Sequence, residues 1–393
     1  MDLSFGPSLR DSANTVGSAG GDERMLFGGA YAGRRVLVTG HTGFKGSWLA
    51  LWLRRLGADV CGLALPADGE RNHSRLLGLT FDEALIDLRD ARAVRAALAR
   101  FRPEMVFHLA AQPLVRRSYR EPAATFDVNV GGLVNLLEAV RSTTSVRVVV
   151  NATTDKCYLE RPTNSGYREG DALGGHDPYS ASKACAEIVS ASYRSSFLRQ
   201  DDGRGHPVGL ATARAGNVIG GGDWSEDRLI PDLVRAAMRG ASTPIRYPQA
   251  TRPWQHVLEP LAGYLLLGQR LLGDPHTPAE AWNFGPDPAG HLSVGDVVAG
   301  FARHWPAVRW STETATRWHE AALLQLDCRK AHCRLGWRPV WNADTTLERT
   351  ARWYRRHHEV GEIGSCADID RYVADARADG LVWAMPARGA QAA

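Results

Sequence analysis

The chain has 393 residues, of which 44% are hydrophobic and 23% are charged. This is an ordinary globular composition, and it excludes a wholly disordered chain, a coiled coil and a collagen. The 47 basic and 43 acidic residues leave a net charge of +4, which is too small for this length to indicate a nucleic-acid binder.

Residues 1–33 are predicted to be a flexible tail, because most of this segment is rich in glycine, serine and aspartate. Short apolar strands then alternate with helices up to residue 216. The strands are predicted at Arg35–Thr39, Asp59–Leu65, Ala84–Asp87, Met105–Leu109, Val146–Asn151 and Val208–Ala213, and the helices at Ser47–Leu56, Ala91–Phe101, Phe126–Val140 and Tyr179–Phe197. The alternation predicts an α/β fold with a Rossmann-type, doubly wound parallel sheet over 34–216.

Shorter, mixed elements follow from residue 217, beginning with a predicted helix over Arg228–Arg239. We expect a smaller, interleaved C-terminal α/β substrate region over 217–363, with a return segment near 255–284 that rejoins the first domain. Residues 364–393 are predicted to be a loose tail with one weak helix over Asp368–Ala378. No run of about 18 apolar residues occurs, so the sequence predicts no membrane span.

Lysine is scarce, since only Lys45, Lys156, Lys183 and Lys330 occur among the 47 basic residues. A chain that uses arginine elsewhere can retain lysine where a compact ammonium is needed. The six cysteines form no C-x-x-C pair and no zinc-ligand pattern. We therefore expect free thiols in a reducing cytoplasm and no bound metal.

A glycine loop follows the first strand and opens the first helix, with Gly40, Gly43 and Gly46 in G-x-x-G-x-x-G spacing. Such glycines allow a tight turn, close approach of the backbone to a pyrophosphate, and close packing of helix on strand. The strand-loop-helix context predicts a dinucleotide cofactor, with Thr42 and Phe44 also in contact with it.

The end of the second strand leaves the choice between NAD and NADP open. Dinucleotide-binding folds often carry an acid here that bonds the adenosine ribose. This sequence has Leu65-Pro66-Ala67 at that place, followed by Asp68 and Arg71. Asp87 ends the third predicted strand, beside Leu88. Asp87 either bonds the adenine amino group or is a turn aspartate before a helix.

Tyr179 and Lys183 stand at i and i+4, which places them on one face of a helix. A neighbouring ammonium favours phenolate and is expected to lower the tyrosine pKa. This Y-x-x-x-K pattern is the signature of short-chain dehydrogenases, and it is specific only in combination with the glycine loop and Thr154. Together they predict hydride transfer at a hydroxyl carbon, with Tyr179 as proton shuttle and Thr154 as oxygen positioner.

Asp155 and Lys156 follow Thr154 at the end of a predicted strand, where ligands bind in such sheets. An adjacent acid and amine indicate a second proton transfer, as a dehydration requires. Once C4 of a sugar is a ketone, a base can remove the C5 hydrogen while an acid protonates the departing C6 hydroxyl. Asp155 suits the acid, and Lys156 is either the base or a stabiliser of the enolate. The alternative is a surface pair in a loop.

Several segments together resemble one family: Gly40–Trp48, Thr154–Tyr158, Asp177–Lys183, Asn217–Trp224, Asp227–Asp232 and Arg252–Val257. Over about residues 34–360 the chain is similar to the CDP-glucose 4,6-dehydratases, a family of extended short-chain dehydrogenases in nucleotide-sugar metabolism. The Thr-Asp-Lys sequence is distinctive, since the related dTDP-glucose enzymes carry Thr-Asp-Glu. The resemblance implies a permanently bound NAD, oxidation of CDP-D-glucose at C4, loss of water across C5–C6, and reduction at C6.

The resemblance also implies positions for further residues. It implies that Asn217, Arg228, Leu229 and Arg252 bind the sugar nucleotide, where the arginines contact phosphate. Without it, both arginines could equally be solvated surface charges. It places the loop after His108 beside the cofactor, with cofactor contacts from Leu109, Ala110 and Ala111 and a substrate contact from Gln112, whereas His108 itself is a core residue or a contact. It implies a homodimer formed through Phe126–Val140 and Tyr179–Phe197.

Two other hypotheses remain open at this stage. A different NAD(P)-dependent nucleotide-sugar enzyme, such as an epimerase or a reductase, needs the tyrosine–lysine pair but has no use for Asp155 and Lys156. A non-catalytic NAD-binding regulator that kept the fold would be expected to have lost Tyr179 or Lys183, and both are present.

Overall fold

The computed structural model describes residues 22–161, 165–199, 206–312 and 324–385. In these ranges the strands are β1 (Arg35–Thr39), β2 (Asp59–Ala64), β3 (Asp82–Leu85), β4 (Met105–His108), β5 (Val148–Ala152), β6 (Gly209–Ala215), β7 (Asn217–Ile219), β8 (Ser242–Ile245), β9 (Thr251–His256), β10 (Ala281–Phe284), β11 (His291–Ser293) and β12 (Arg309–Thr312). The α-helices are α1 (Phe44–Arg55), α2 (His73–Leu77), α3 (Ala91–Phe101), α4 (Val115–Arg120), α5 (Pro122–Phe126), α6 (Gly132–Ser142), α7 (Pro178–Tyr193), α8 (Leu229–Met238), α9 (Leu258–Gly273), α10 (Val294–His304), α11 (Ala343–Val360) and α12 (Ser365–Ala378). Within the described parts of the chain, no helix combines the length and hydrophobicity needed to cross a bilayer.

The central sheet is parallel, with the strand order β10-β6-β5-β4-β1-β2-β3. The order runs outward in both directions from the neighbouring strands β1 and β4. The loops that follow these two strands therefore diverge and leave a crevice at the carboxyl edge of the sheet. The predicted doubly wound α/β fold is confirmed.

Helices cover both faces of this sheet, which is why its strands are continuous apolar runs. On one face, Trp48 and Trp52 of α1 and Leu265 of α9 are fully buried. On the other face, Leu98 of α3 and Leu137 of α6 are also fully buried. Burying each such side chain stabilises the fold by roughly 1.5–3 kcal/mol. The helices are therefore firmly packed on both faces of the sheet that carries the crevice.

Two small sheets lie beyond β6, one with the order β11-β9-β7 and one that pairs β12 with β8. The chain then returns to the central sheet, where α9 packs against β5 and β6 and β10 pairs with β6. The returning elements α9 and β10 lie within residues 258–284. The small sheets stand beside the crevice and supply its second wall.

The prediction of flexible tails is wrong for the described residues at both ends. In the N-terminal segment, Phe27 and Tyr31 are buried, and Phe27 stacks on Trp383 with ring centroids 4.9 Å apart. In the C-terminal segment, α12 buries Tyr372 against Trp52 of α1. The prediction followed the small and polar residues, whereas a few aromatic side chains determine the packing. Residues 1–21 and 386–393 of the predicted tails lie outside the described residues.

Two predicted elements also differ in extent. The single helix predicted over Phe126–Val140 is instead α5, a π-helical turn over Asp127–Gly131, and α6. The turn directs the buried Asn129 side chain to the Gln112 carbonyl and to the Ser182 hydroxyl, at 3.1 and 2.9 Å. β3 ends at Leu85, two residues before the predicted end, so that Asp87 lies in the following turn.

Candidate active site

A cavity of about 670 Å³ opens at the carboxyl edge of the central sheet. Loops after five of the parallel strands line one side, and the segments around β7, α8 and β8 line the other. Nearly all the predicted site residues line this cavity, namely Gly40, Thr42, Gly43, Phe44, Gly46, Asp87, Leu88, Leu109, Ala110, Ala111, Thr154, Asp155, Lys156, Tyr179, Lys183, Asn217, Arg228, Leu229 and Arg252. Residues far apart in sequence thus meet in one place, while their individual roles stay predictions.

The glycine loop leaves no space for side chains where it turns into α1. A Cβ on Gly46 would lie 2.0 Å from the Gly40 carbonyl oxygen, and a Cβ on Gly40 would lie 2.7 Å from the Ala110 nitrogen. Gly40 also has a φ of 73°, which L side chains rarely adopt. Gly43 is the N-cap of α1 and provides no side-chain cap, so the first N–H groups of the helix remain available to an anion. The loop therefore fits a dinucleotide pyrophosphate.

The end of β2 carries no acidic group toward the cavity. Leu65 is 58% exposed there, and its carbonyl accepts a hydrogen bond from the Thr42 hydroxyl at 2.9 Å. The Arg71 guanidinium lies over the Trp224 ring, 5.6 Å from the ring centroid. Asp87 is paired with its neighbour Arg89, whose nitrogens lie 2.6–3.1 Å from the carboxylate oxygens. These hydrogen bonds from Arg89 lower the pKa of Asp87, and a contact with adenine stays a prediction.

Helix α7 carries Tyr179 and Lys183 into the cavity. Lys183 is buried, and its Nζ donates a hydrogen bond to the Ala152 carbonyl at 3.2 Å. Burial lowers the pKa of Lys183 to about 8, although the Glu187 carboxylate acts in the opposite direction. Burial also raises the pKa of Tyr179 to about 12, although a hydrogen bond with Thr154 lowers it in part. The expected lowering of the tyrosine pKa is therefore wrong for this structure, because desolvation outweighs the favourable charges.

Thr154 is the N-cap of a 3-10 turn over Asp155–Cys157, at the end of β5. Asp155 is 1% exposed, and its Oδ1 accepts a hydrogen bond from the Thr154 hydroxyl at 3.0 Å. The buried Oδ2 has no hydrogen-bond partner among the described residues. Lys156 lines the same cavity and is half-buried. An acid and an amine thus line the same cavity as the predicted proton shuttle, and the buried Asp155 is not a surface residue.

Lys45 also lines the cavity. Burial lowers the pKa of its ammonium to about 8, and the nearby cations Arg228 and Lys183 lower it further, whereas Asp155 and Asp223 raise it. The ammonium therefore shares the electrostatic environment of the predicted reacting groups. The sequence could not reveal this placement, although the scarcity of lysine was a signal.

The predicted sugar-nucleotide contacts divide into two groups. Asn217, Arg228, Leu229 and Arg252 line the cavity, and the Arg228 guanidinium donates to the Asp223 carboxylate at 2.9 Å. Gln112 does not line the cavity, although its neighbours Ala111 and Pro113 do, and its role as a substrate contact stays a prediction. Its side chain is directed to neighbouring protein groups, since Nε2 donates to the Thr125 hydroxyl of α5 and Oε1 accepts from the Leu114 N–H, at 2.9 and 2.7 Å.

His108 is a core residue. Its ring Nδ1 lies 2.7 Å from the Thr39 hydroxyl, and burial lowers its pKa to about 3. Sequence reasoning did not identify Arg246 and Tyr247, which line the cavity just after β8. They belong to no motif, and β8, which pairs with β12 and packs against α8, carries them to the site.

Comparisons with known proteins agree on one group of enzymes. The model of the NAD dependent epimerase/dehydratase family matches residues 36–285. The chain is 47% identical to the CDP-glucose 4,6-dehydratase of Salmonella typhimurium over 328 residues, which cover 83% of this chain and 91% of that protein. It is also 28% identical to the dTDP-glucose 4,6-dehydratase of Streptomyces antibioticus over 332 residues, which cover 81% of this chain and 92% of that protein.

Solved structures give the same result. The UDP-glucose 4-epimerase of Thermus thermophilus in complex with NAD superposes with a TM-score of 0.70 at 26% identity, over 82% of this chain and 99% of that one. The dTDP-glucose 4,6-dehydratase of Streptomyces venezuelae with NAD and TYD bound superposes with a TM-score of 0.69 at 25% identity, over 82% of this chain and 97% of that one.

Proposed function

Because this chain belongs to the NAD dependent epimerase/dehydratase family, we propose that it converts CDP-D-glucose into CDP-4-dehydro-6-deoxy-D-glucose and water. The observation that carries this proposal is that Asp155 and Lys156 line the same cavity as Tyr179 and Lys183. The identity to a CDP-glucose 4,6-dehydratase supports the cytidine nucleotide and the hexose.

The glycine loop and the first turn of α1 would hold the NAD pyrophosphate, since Gly43 provides no side-chain cap and leaves the first N–H groups of the helix available to it. Bound NAD supplies the redox chemistry at C4 and C6 of the sugar. Tyr179 accepts the proton of the C4 hydroxyl, and the Thr154 hydroxyl positions that oxygen. The Lys183 ammonium stabilises the phenolate, which desolvation in the cavity otherwise disfavours.

The elimination of water falls to the residues that follow Thr154. The Asp155 carboxyl donates its proton to the departing C6 hydroxyl, and its unpartnered Oδ2 is available for that contact. Lys156 either removes the C5 hydrogen or stabilises the resulting enolate. Arg228 and Arg252 bind the diphosphate, for which a guanidinium fork is suited.

An NAD(P)-dependent nucleotide-sugar epimerase or reductase is the second candidate, because an epimerase with NAD superposes on most of this chain. Such an enzyme would use Tyr179 and Lys183 and would leave Asp155 and Lys156 without a task. A regulator without catalysis is a weaker candidate, since the tyrosine–lysine pair lies intact in the cavity.

We further propose a homodimer formed through α5, α6 and α7. Ile188 of α7 is 58% exposed although it is apolar, and Phe197 just beyond this helix is also exposed, which supports an interface there. We propose a cytoplasmic location, which the six unpaired cysteines support.

The deciding experiment is incubation of the purified protein with CDP-, dTDP-, UDP- and GDP-hexoses, followed by mass spectrometry of the products. We expect the loss of one water from CDP-glucose and faster turnover of it than of the other nucleotides. A product of unchanged mass with inverted configuration at C4 would contradict the dehydratase and support the epimerase.

A further inference from the structure

A buried ion pair contacts the residues on either side of the proposed dehydration residues. It joins Glu187 of α7 to Arg214 of β6, with 2.8 Å between Arg214 Nη2 and Glu187 Oε2. Both side chains are about 3% exposed. Neither residue lines the cavity, so neither can touch a substrate there.

The Glu187 carboxylate is bonded to the residue that precedes the reactive segment. Its Oε1 accepts a hydrogen bond from the Thr153 hydroxyl at 2.5 Å, and its Oε2 also accepts one from the Thr212 hydroxyl at 2.7 Å. The carboxylate is therefore held by three donors, which fix its orientation. Thr153 is the residue directly before Thr154.

The Arg214 guanidinium is bonded to the residue just after the reactive turn. Its Nη1 donates to the Tyr158 hydroxyl at 2.8 Å and to the Glu169 carbonyl at 3.1 Å. The Tyr158 hydroxyl donates in turn to Asn283 Oδ1 at 2.7 Å, on β10 of the central sheet. The arginine therefore anchors Tyr158 to the rigid part of the fold.

We infer that the Glu187–Arg214 ion pair positions the dehydration residues, because it is hydrogen-bonded to the residues that flank the Thr154–Cys157 segment on both sides. Thr153 is fixed by the carboxylate and Tyr158 by the guanidinium, so Asp155 and Lys156 lie between two fixed points. Both are positioning residues that act through Thr153 and Tyr158. This inference rests on the proposed function, since it concerns the elimination of water.

The same carboxylate contributes a second effect along α7. Tyr179, Lys183 and Glu187 are spaced by four residues and follow one face of the helix. The Glu187 charge opposes the effect of burial on Lys183 and so favours the ammonium form. Loss of this charge would weaken the support that Lys183 gives to the phenolate of Tyr179.

The test compares Glu187→Gln with the wild type, using CDP-glucose and its C5-deuterated form. We expect kcat to fall on the order of 10–100-fold with little change in KM, because a small displacement of reacting groups costs this much. We expect the isotope effect on kcat to rise and the reduced dinucleotide to accumulate, as its near-ultraviolet absorbance would show. Both signals report an elimination that has become slow relative to the first oxidation.

The matched control is Glu259→Gln. Glu259 is equally buried and accepts hydrogen bonds from the Trp341 N–H at 2.8 Å and the Tyr372 hydroxyl at 2.7 Å, and it does not line the cavity. We expect this substitution of a buried carboxyl to cause neither the isotope effect nor the absorbance signal. If Glu187→Gln matches this control in both signals, the ion pair is merely structural and the inference is overturned.

A second variant keeps the test decisive if Glu187→Gln does not fold. Tyr158→Phe removes the hydroxyl that Arg214 and Asn283 share and leaves the ion pair in place. The same two signals are expected, and their absence in this folded variant would overturn the inference. If the wild type releases no water from any nucleotide hexose, the proposed function fails first, and the inference falls with it.

Discussion

Lys156 occupies a position where only an amine suits the proposed elimination. It lines the cavity one residue after the buried Asp155. We expect Lys156→Arg to lower the rate of dehydration on the order of 100-fold, because a guanidinium is larger and does not give up its proton at neutral pH. We expect NAD binding to be unchanged. Product mass spectrometry measures the rate, and the amount of NAD released when the purified protein is denatured measures binding.

The chain offers a matched control for this substitution. Lys330 lies outside the cavity, where its Nζ is 2.7 Å from a Glu280 carboxylate oxygen and donates to the Ala281 carbonyl. We expect Lys330→Arg to dehydrate at close to the wild-type rate. Equal rates for Lys156→Arg and the wild type would show that the role given to Lys156 is wrong.

At the scale of residues, the sequence could predict which motifs meet but not where each side chain points. The glycine loop and the tyrosine–lysine pair were predictable, since their chemistry depends on residue type and spacing. The orientation of the Gln112 side chain was not predictable, because its amide forms hydrogen bonds with Thr125 and Leu114. The raised pKa of Tyr179 was not predictable either, since burial is a property of the folded cavity.

Helix α12 contains a buried acid, Asp368, whose titration should make the free energy of unfolding depend on pH. Asp368 is 5% exposed, and Arg349 Nη1 lies 3.8 Å from its Oδ1. Burial raises the pKa of Asp368 from 3.8 to about 7, although Arg349 lowers it in part. Between these two values the unfolded chain loses its proton while the folded chain keeps it. The contribution of Asp368 to the free energy of unfolding therefore falls as the pH rises through this window.

Asp368→Asn removes this titration. We expect the free energy of unfolding of the variant, relative to the wild type, to rise by about 3 kcal/mol between about pH 4 and about pH 8. Urea denaturation at the two pH values measures this change. A relative stability that stays constant across the window would contradict the assignment.

At the scale of elements, the sequence could predict strands and helices where the apolar period was long and unbroken. It could not predict the π-helical turn over Asp127–Gly131, because that turn depends on the long-range contacts of Asn129. It also missed the short pairing of β8 with β12. Such pairings have little local signal, since tertiary contacts decide them.

The two ends of the described chain both pack on α1. Phe27 contacts the rings of Trp52 and Trp383, and the Arg55 guanidinium contacts both Glu23 and Asp370. We expect Phe27→Ala to lower the free energy of unfolding by about 3–5 kcal/mol, because it leaves a cavity in an aromatic cluster. Urea denaturation followed by tryptophan fluorescence measures the loss.

Val382 is the matched control for this prediction, since it is apolar, directly precedes Trp383 in the chain and is 70% exposed. We expect Val382→Ala to change the free energy of unfolding by less than about 0.5 kcal/mol. Equal effects of the two substitutions would contradict the role of the cluster.

At the scale of the whole molecule, the doubly wound sheet was predictable because alternating strands and helices leave few topologies. The way the ends close the fold was not, since it depends on a few aromatic residues far apart in sequence. Phe27 and Trp383 illustrate this, because each stands in a segment whose composition otherwise predicts a loose tail.

The closure at α1 has a consequence for synthesis on the ribosome. Helix α1 is translated long before Tyr372 and Trp383, which cover Trp52. The nascent chain must therefore carry an uncovered aromatic surface until Tyr372 and Trp383 have been translated. Ribosome-bound chains that stop before α12 should consequently be the species that chaperones bind and proteases cut.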